Sequence, residues 1–158
     1  MASKGEDLAD RFEKANTEFI ATVSGLSDEQ WKAPCAGEQW PAGVLAHHVA
    51  EDHGVLAGLI NTIATGGQLP PIDAKALDAM NAEHAQRAAG VSRDETVALA
   101  KSEGTKAAAL LRSLSDEQLE RTSPFGVTGG DISAEQIAEN ILIGHMGMHL
   151  PSIRAAVS

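Results

Sequence analysis

The 158-residue chain carries 22 acidic and 12 basic side chains, which gives a formal net charge of −10. This charge argues against nucleic acid and anionic membrane surfaces as partners. A single cysteine excludes an intrachain disulfide and a cysteine-rich zinc site. No apolar run approaches the roughly 18 residues of a membrane span, and the first residues lack the apolar core of a signal peptide. We therefore expect one cytoplasmic domain over residues 1–158.

Helical signals recur along the whole chain. Aromatic residues make up only 3% of the sequence, and alanine is abundant, which favours helices over a β-sandwich. Five serines are each followed three residues later by Glu or Gln, the capping-box pattern of a helix N-terminus. These serines are Ser3, Ser27, Ser92, Ser115 and Ser133. The pair Trp40-Pro41 predicts a sixth start, because proline suits the first helical position.

Together with the hydrophobic spacing, these starts predict an all-α, four-helix bundle with one extra short helix between helices 2 and 3. The long helices are expected over about residues 5–24, 41–65, 92–114 and 133–156. The short helix is expected over about residues 73–89, after a Gly-Gly and Pro-Pro breaker. A turn at about residues 27–31 and a loop at about residues 123–130 complete the predicted chain path.

The second predicted helix carries a carboxylate on its apolar face. Asp52 falls in the seam of apolar residues, and Asp is seldom buried unless it is paired or binds a metal. His48 borders this seam and should point inward, whereas His47 and Glu51 fall on the outward row. His53 lies on the flank, where we expect an exposed or supporting histidine with a structural role.

The last predicted helix contains His145 and His149, four residues apart. Positions i and i+4 share one face of a helix, so the two imidazoles can converge on one metal ion, with a third ligand from elsewhere. The alternative is a pair of ordinary histidines, one of them half-buried. His84, in the short helix, is expected to be a partly buried histidine with a satisfied hydrogen bond rather than a metal ligand.

Two motifs resemble those of the DinB/YfiT-like family. The segment Trp40–His53, with the sequence WPAGVLAHHVAEDH, resembles the family's second-helix motif, and His145-x-x-x-His149 resembles its closing motif. The resemblance implies a four-helix bundle with unusual connectivity and a divalent metal, zinc or nickel, held by three histidines. It also implies a homodimer. Some relatives are S-transferases that use a low-molecular-weight thiol such as mycothiol or bacillithiol, and related maleylpyruvate isomerases use mycothiol.

Carried onto this sequence, the resemblance implies His48, His145 and His149 as the metal ligands. The family motif places its ligand eight residues after the tryptophan, which is the same histidine that the helical-face argument selects. Three neutral imidazoles leave an open coordination position, where a bound water or thiol becomes acidic. Asp52, one turn beyond His48, is expected to orient an imidazole or to serve as a fourth ligand.

Three functions stay open at this point. The leading hypothesis is a metal-dependent transferase that uses a low-molecular-weight thiol on an electrophilic small molecule. The others are a metal-dependent hydrolase and a non-catalytic, metal- or ligand-binding stress protein. Cys35 has no assignable histidine partner and is expected to be a bystander. The candidate pocket walls, all apolar or small, are Met148, Leu56, Met80 and Gly104.

Overall fold

The computed structural model describes residues 1–158 and consists almost entirely of helices. Helices α1 to α6 span Lys4–Ser24, Asp28–Trp31, Ala42–Ala64, Ala74–Arg87, Arg93–Ser113 and Asp116–Glu120. An antiparallel hairpin follows, with strand β1 at Thr122–Phe125 and strand β2 at Gly130–Ser133. The last helical stretch consists of α7 at Ala134–Gln136, a π-helical segment at Ile137–Ile143, and α8 at Gly144–Val157.

Serine caps fix where five of these helices begin. In each case the serine side chain accepts a hydrogen bond from the backbone N–H three residues later, and the Glu or Gln side chain there bonds back to the serine N–H. This reciprocal pairing satisfies backbone donors that have no partner inside the helix. The five serines are those predicted from the sequence, so the helix starts agree with prediction.

The core lies where α1, α3 and α5 pack together with the last helical stretch. Its largest fully buried side chains include Phe12, Phe19, Leu45, Leu111 and Leu142. Burial of apolar area at these positions supplies the main stabilisation of such a bundle. The predicted fold class is therefore confirmed: four long helices form the bundle, and α4 is the extra short helix.

Gly104 permits close approach of α5 to α1. A Cβ at this position would meet the side-chain nitrogen of Asn16 and lie 3.8 Å from the ring of Phe12. The side chain of Asn16 uses this space to donate a hydrogen bond to the carbonyl of Ala100 at 3.1 Å. The prediction that Gly104 lines a ligand pocket is therefore wrong, because protein atoms already fill the space beside it.

Two features near the C-terminus were not predicted. The segment expected as a loop pairs as a hairpin, with Thr122 opposite Ser133 and Phe125 opposite Gly130. The π-helical segment then places Ile137 and Leu142, both 0% exposed, on the core side although they are five residues apart. A π-turn accommodates this spacing, which a continuous α-helix would not keep on one face.

Helix α4 packs on the bundle far less deeply than the long helices. Among its residues only His84 is buried, while Leu77 and Met80 are 36% and 48% exposed. The apolar side predicted for this helix is therefore only partly covered by the bundle. None of the helices combines the length and the apolar character that crossing a membrane requires.

Candidate metal centre

The three histidines predicted as metal ligands come together from two helices. Nε2 of His145 lies 3.0 Å from Nε2 of His48, although 97 positions separate the two residues. The ring centroid of His149 lies 4.6 Å from that of His145 and 5.5 Å from that of His48. One potential ligand atom from each residue lies within 4.8 Å of the other two. Such convergent nitrogen atoms suit a single divalent cation.

The surrounding helices explain this convergence. His145 and His149 are one turn apart on α8, so they share the face that α8 turns toward α3. The ring of Trp40 packs edge-on against His48, with 5.5 Å between the ring centroids. Trp40 stands just before α3, so the Trp-Pro motif of the sequence both starts the helix and supports one of its histidines.

Burial keeps these imidazoles neutral. It lowers the pKa of His48 to about 4, and the neighbouring His149 adds to this effect. Burial also lowers the pKa of His145, far below that of an exposed histidine, and that of His149. A neutral imidazole offers a lone pair to a cation, so all three side chains are available as ligands at neutral pH.

Asp52 stands on the side of the cluster where the ring nitrogens converge. Its Oδ2 lies 3.6 Å from Nε2 of His48 and 3.7 Å from Nε2 of His145. A carboxylate that oriented either ring from behind would instead face Nδ1. Burial raises the pKa of Asp52 to about 7, with a further contribution from the negative charge of Glu51. Of the two expected roles, the geometry favours a carboxylate beside the cation over one that orients an imidazole.

Glu38 is a neighbour of the cluster that the sequence analysis missed. Its Oε1 lies 3.4 Å from Nδ1 of His149, and its Oε2 is buried without a hydrogen-bond partner. A tight loop carries it: the N–H of Gln39 donates to the carbonyl of Cys35, and the N–H of Cys35 donates to the carbonyl of Trp40. Gln39 has a φ of 59°, in the left-handed region. No pattern in the sequence signals this turn.

Three further expectations about the polar residues of α3 and α4 need correction. His47 and Glu51 are half-buried rather than outward and solvated. Both contact His84: Nδ1 of His47 lies 2.8 Å from Nε2 of His84, and Oε2 of Glu51 lies 3.4 Å from the same atom. Because α4 covers this side of α3, a helical wheel of α3 alone wrongly assigned His47 and Glu51 to a face in solvent. His84, expected to be partly buried, is 3% exposed and belongs to this polar cluster.

His53 is buried, so of the exposed and supporting positions expected for it, the structure excludes the first. Its exposed fraction is 1%, and its ring meets the rings of Phe12 and Phe19 edge-on. Its Nε2–H donates to Oδ1 of Asn16 at 2.8 Å. The flank of α3 is covered because α1 packs there, so the structural role expected for His53 agrees with its contacts.

The remaining predicted residues divide between core and surface. Cys35 is fully buried, and burial raises the pKa of its thiol to about 11, with help from the charge of Glu38. The thiol of Cys35 is therefore protonated at neutral pH, in agreement with a bystander role.

Among the predicted pocket walls, Leu56 is buried, whereas Met80 and Met148 are 48% and 64% exposed.

A helical bundle that gathers histidines from its second and last long helices has the architecture of one known family. The model of the DinB superfamily matches residues 11–153, and the chain belongs to that superfamily. A comparison with curated proteins gives no significant match.

Solved structures give the same fold. The chain is similar to YfiT from Bacillus subtilis, described as a probable metal-dependent hydrolase with an unusual four-helix bundle topology, with 20% identity, a TM-score of 0.78, and coverage of 96% of this chain and 85% of that one. It is also similar to a mycothiol-dependent maleylpyruvate isomerase, with 15% identity, a TM-score of 0.77, and coverage of 100% and 65%. A histidine-to-alanine mutant of such an isomerase gives 14% identity, a TM-score of 0.76, and coverage of 97% and 63%. This chain therefore spans less than two thirds of the isomerase chains.

Proposed function

We propose that this protein is a divalent-metal-dependent enzyme that transfers a low-molecular-weight thiol to an electrophilic small molecule. His48, His145 and His149 are its metal ligands, and zinc or nickel is the metal. The observation that carries this proposal is the convergence of three imidazoles, of which His48 and His145 are buried, with the carboxylate of Asp52 on the same side. The similarity in fold to a mycothiol-dependent isomerase supports the choice of a thiol as co-substrate.

A bound divalent cation would supply the positive charge that makes a thiol acidic at neutral pH. The residues of the chain prepare the site for this chemistry. Uncharged imidazoles leave the whole charge of the cation available to an incoming ligand. A set of thiolate or carboxylate ligands would reduce this charge. Nitrogen donors of this kind suit zinc and nickel alike.

Asp52 has the position needed to handle a proton. Its Oδ2 lies within 3.7 Å of the converging nitrogens, and its side chain is 26% exposed, so a substrate can reach it. In our proposal, Oδ2 accepts the S–H proton of the thiol, and the sulfur then attacks the electrophilic carbon to form a C–S bond. The bond from that carbon to the leaving group breaks, and the leaving group departs with the bonding electron pair, as chloride does from a chloro-aromatic acceptor. Asp52 then releases the proton to solvent or to the leaving group, so charge and atoms balance.

A metal-dependent hydrolase is the second candidate, since the same oxygen could accept a proton from water. The similarity to YfiT, which spans most of both chains, favours this candidate. Thiol dependence separates the two functions. Turnover that requires mycothiol, bacillithiol or glutathione supports the transferase, whereas ester or amide cleavage without thiol supports the hydrolase.

We also propose a homodimer, which sedimentation analysis of the purified protein would test.

The decisive experiment combines elemental analysis with an activity assay. The wild type should retain a divalent metal and turn over a chloro-aromatic acceptor with a thiol. His145→Gln and His149→Gln should each lose that metal and the activity. His53→Gln is the matched control, because it also replaces a buried imidazole but should leave the metal in place. Equal metal content in all four proteins, or retained metal with no turnover of either kind, would contradict the proposal.

A further inference from the structure

A second cluster of ligand-type side chains lies on the neighbouring row of α3. One atom each from His47, Glu51 and His84 lies within 4.8 Å of the other two. We propose that these three residues form a second divalent-cation site, which fastens α4 to α3. The site shares no residue with the histidine triad, so the inference does not depend on the proposed function.

The donor set and its spacing suit a cation. Two imidazoles and one carboxylate form a recurrent set in zinc and iron proteins. At ordinary bond lengths, neighbouring ligand atoms around tetrahedral zinc lie about 3.3 Å apart. The distances from Nε2 of His84 are 2.8 Å to His47 and 3.4 Å to Glu51, which bracket this value. The third pair, His47 and Glu51, has ligand atoms within 4.8 Å of each other, so side-chain adjustment on α3 would complete the geometry.

The placement of His84 gives such a site a structural purpose. His84 is the only buried residue of α4, and the apolar side chains Leu77 and Met80 of the same helix are 36% and 48% exposed. The attachment of α4 therefore depends on polar contacts more than on buried apolar area. A cation that joins His84 to two residues of α3 would hold the helix more firmly than one hydrogen bond between the rings.

Arg87 is the one residue that opposes a cation here. Its Nη1 lies 3.4 Å from Oε1 of Glu51, and its side chain is 57% exposed. The guanidinium can turn into solvent when a cation takes its place beside the carboxylate. Replacement of Arg87 should therefore raise the affinity of the second site for a cation, whereas replacement of a ligand should lower it.

The second site adjoins the first. The ring centroids of His84 and His48 are 5.4 Å apart, because His47 and His48 follow one another on α3. Stoichiometry is therefore the clearest measurement, since two adjoining sites bind two cations per chain. If the rings of His47 and His84 are joined only by a hydrogen bond, the first site alone remains and the chain binds one cation.

The test is a zinc titration of the full-length protein after removal of bound metal with a chelator. Equilibrium dialysis followed by elemental analysis should give two zinc ions per wild-type chain. His47→Gln and Glu51→Gln should each bind one, and Arg87→Ala should bind two, with the weaker ion held several-fold more tightly. The second equivalent should also slow hydrogen exchange over residues 74–87 in the wild type but not in His47→Gln.

The outcomes separate this proposal from the proposed function. A His145→Gln protein that still binds one zinc ion, lost on adding His47→Gln, would support the second site even if the enzyme proved inactive. One zinc ion per wild-type chain, unchanged by His47→Gln and Glu51→Gln, would overturn it and leave a simple hydrogen bond. Thermal unfolding of each metal-free variant would establish that the substitution preserves folding.

Discussion

Oε1 of Glu38 lies 3.4 Å from Nδ1 of His149, so a loop residue contacts an imidazole 111 positions away. The carboxylate accepts a hydrogen bond from the Nδ1–H of His149, which leaves the lone pair of Nε2 available to a metal ion. A carboxylate in this position fixes the tautomer of a metal-binding histidine and makes the ring a stronger donor.

Glu38→Gln should therefore weaken metal binding by roughly ten-fold or more without unfolding the protein. The amide keeps the shape of the side chain but removes its charge. Competition between the protein and a chromogenic chelator would measure the affinity. Glu29→Gln, on the exposed surface of α2, is the matched control and should behave as the wild type. Equal affinity in both variants would show that Glu38 does not act on His149.

Under the proposed function, Asp52→Asn should lower the turnover of the metal-loaded protein by about a hundred-fold or more, because the amide oxygen would not take the substrate proton. The metal itself should remain, since the three imidazoles proposed as its ligands are unchanged. Steady-state kinetics and elemental analysis on the same sample would separate these effects. Loss of the metal would show instead that the carboxylate is needed as a ligand. Asp78→Asn, on the exposed face of α4, serves as the control.

Burial of His53 should make the protein less stable in mild acid. Burial lowers the pKa of His53 from 6.5 to about 4. In the unfolded chain the imidazole of His53 therefore binds a proton near pH 6.5, whereas in the folded protein it binds one only near pH 4. The free energy of unfolding should fall as the pH drops through this range, by about 2 kcal/mol between pH 7 and pH 5 from this residue.

Urea unfolding of the metal-free protein at several pH values would measure this effect. In His53→Gln, the amide can still donate to Asn16, but the titrating group is gone. The variant should therefore show a pH dependence shallower than the wild type by about the same 2 kcal/mol. Parallel curves for the two proteins would show that His53 titrates normally in the folded state.

Cys35 should be dispensable for turnover. Burial raises its pKa to about 11, so no appreciable thiolate exists at neutral pH. Cys35→Ala should keep the thiol-dependent activity, which would then belong to the added thiol. Iodoacetamide should modify the folded wild type only slowly at pH 8 and rapidly in urea. Loss of turnover in a folded Cys35→Ala protein would assign the sulfur chemistry to the chain itself.

The sequence was most informative where local rules act alone. Serine caps and apolar spacing predicted the long helices, and the face argument for His48 agreed with the family resemblance. Contacts between distant elements were harder to predict. The burial of His53 was left open because α1 covers a flank that looks free on an isolated helix, and Glu51 was misjudged because α4 covers its side of α3. Glu38 was missed because the loop that carries it is held by backbone hydrogen bonds, which no residue pattern announces.

The π-helical segment Ile137–Ile143 contains about one residue more than an α-helix uses for the same angle of rotation. A deletion of one residue within this segment would therefore restore the ordinary helical repeat and leave α8 in its present orientation. A deletion inside α8 has no such extra residue to remove, and it would rotate all that follows it by about 100°. Natural variation should therefore place single-residue gaps before Gly144 and avoid them between His145 and His149.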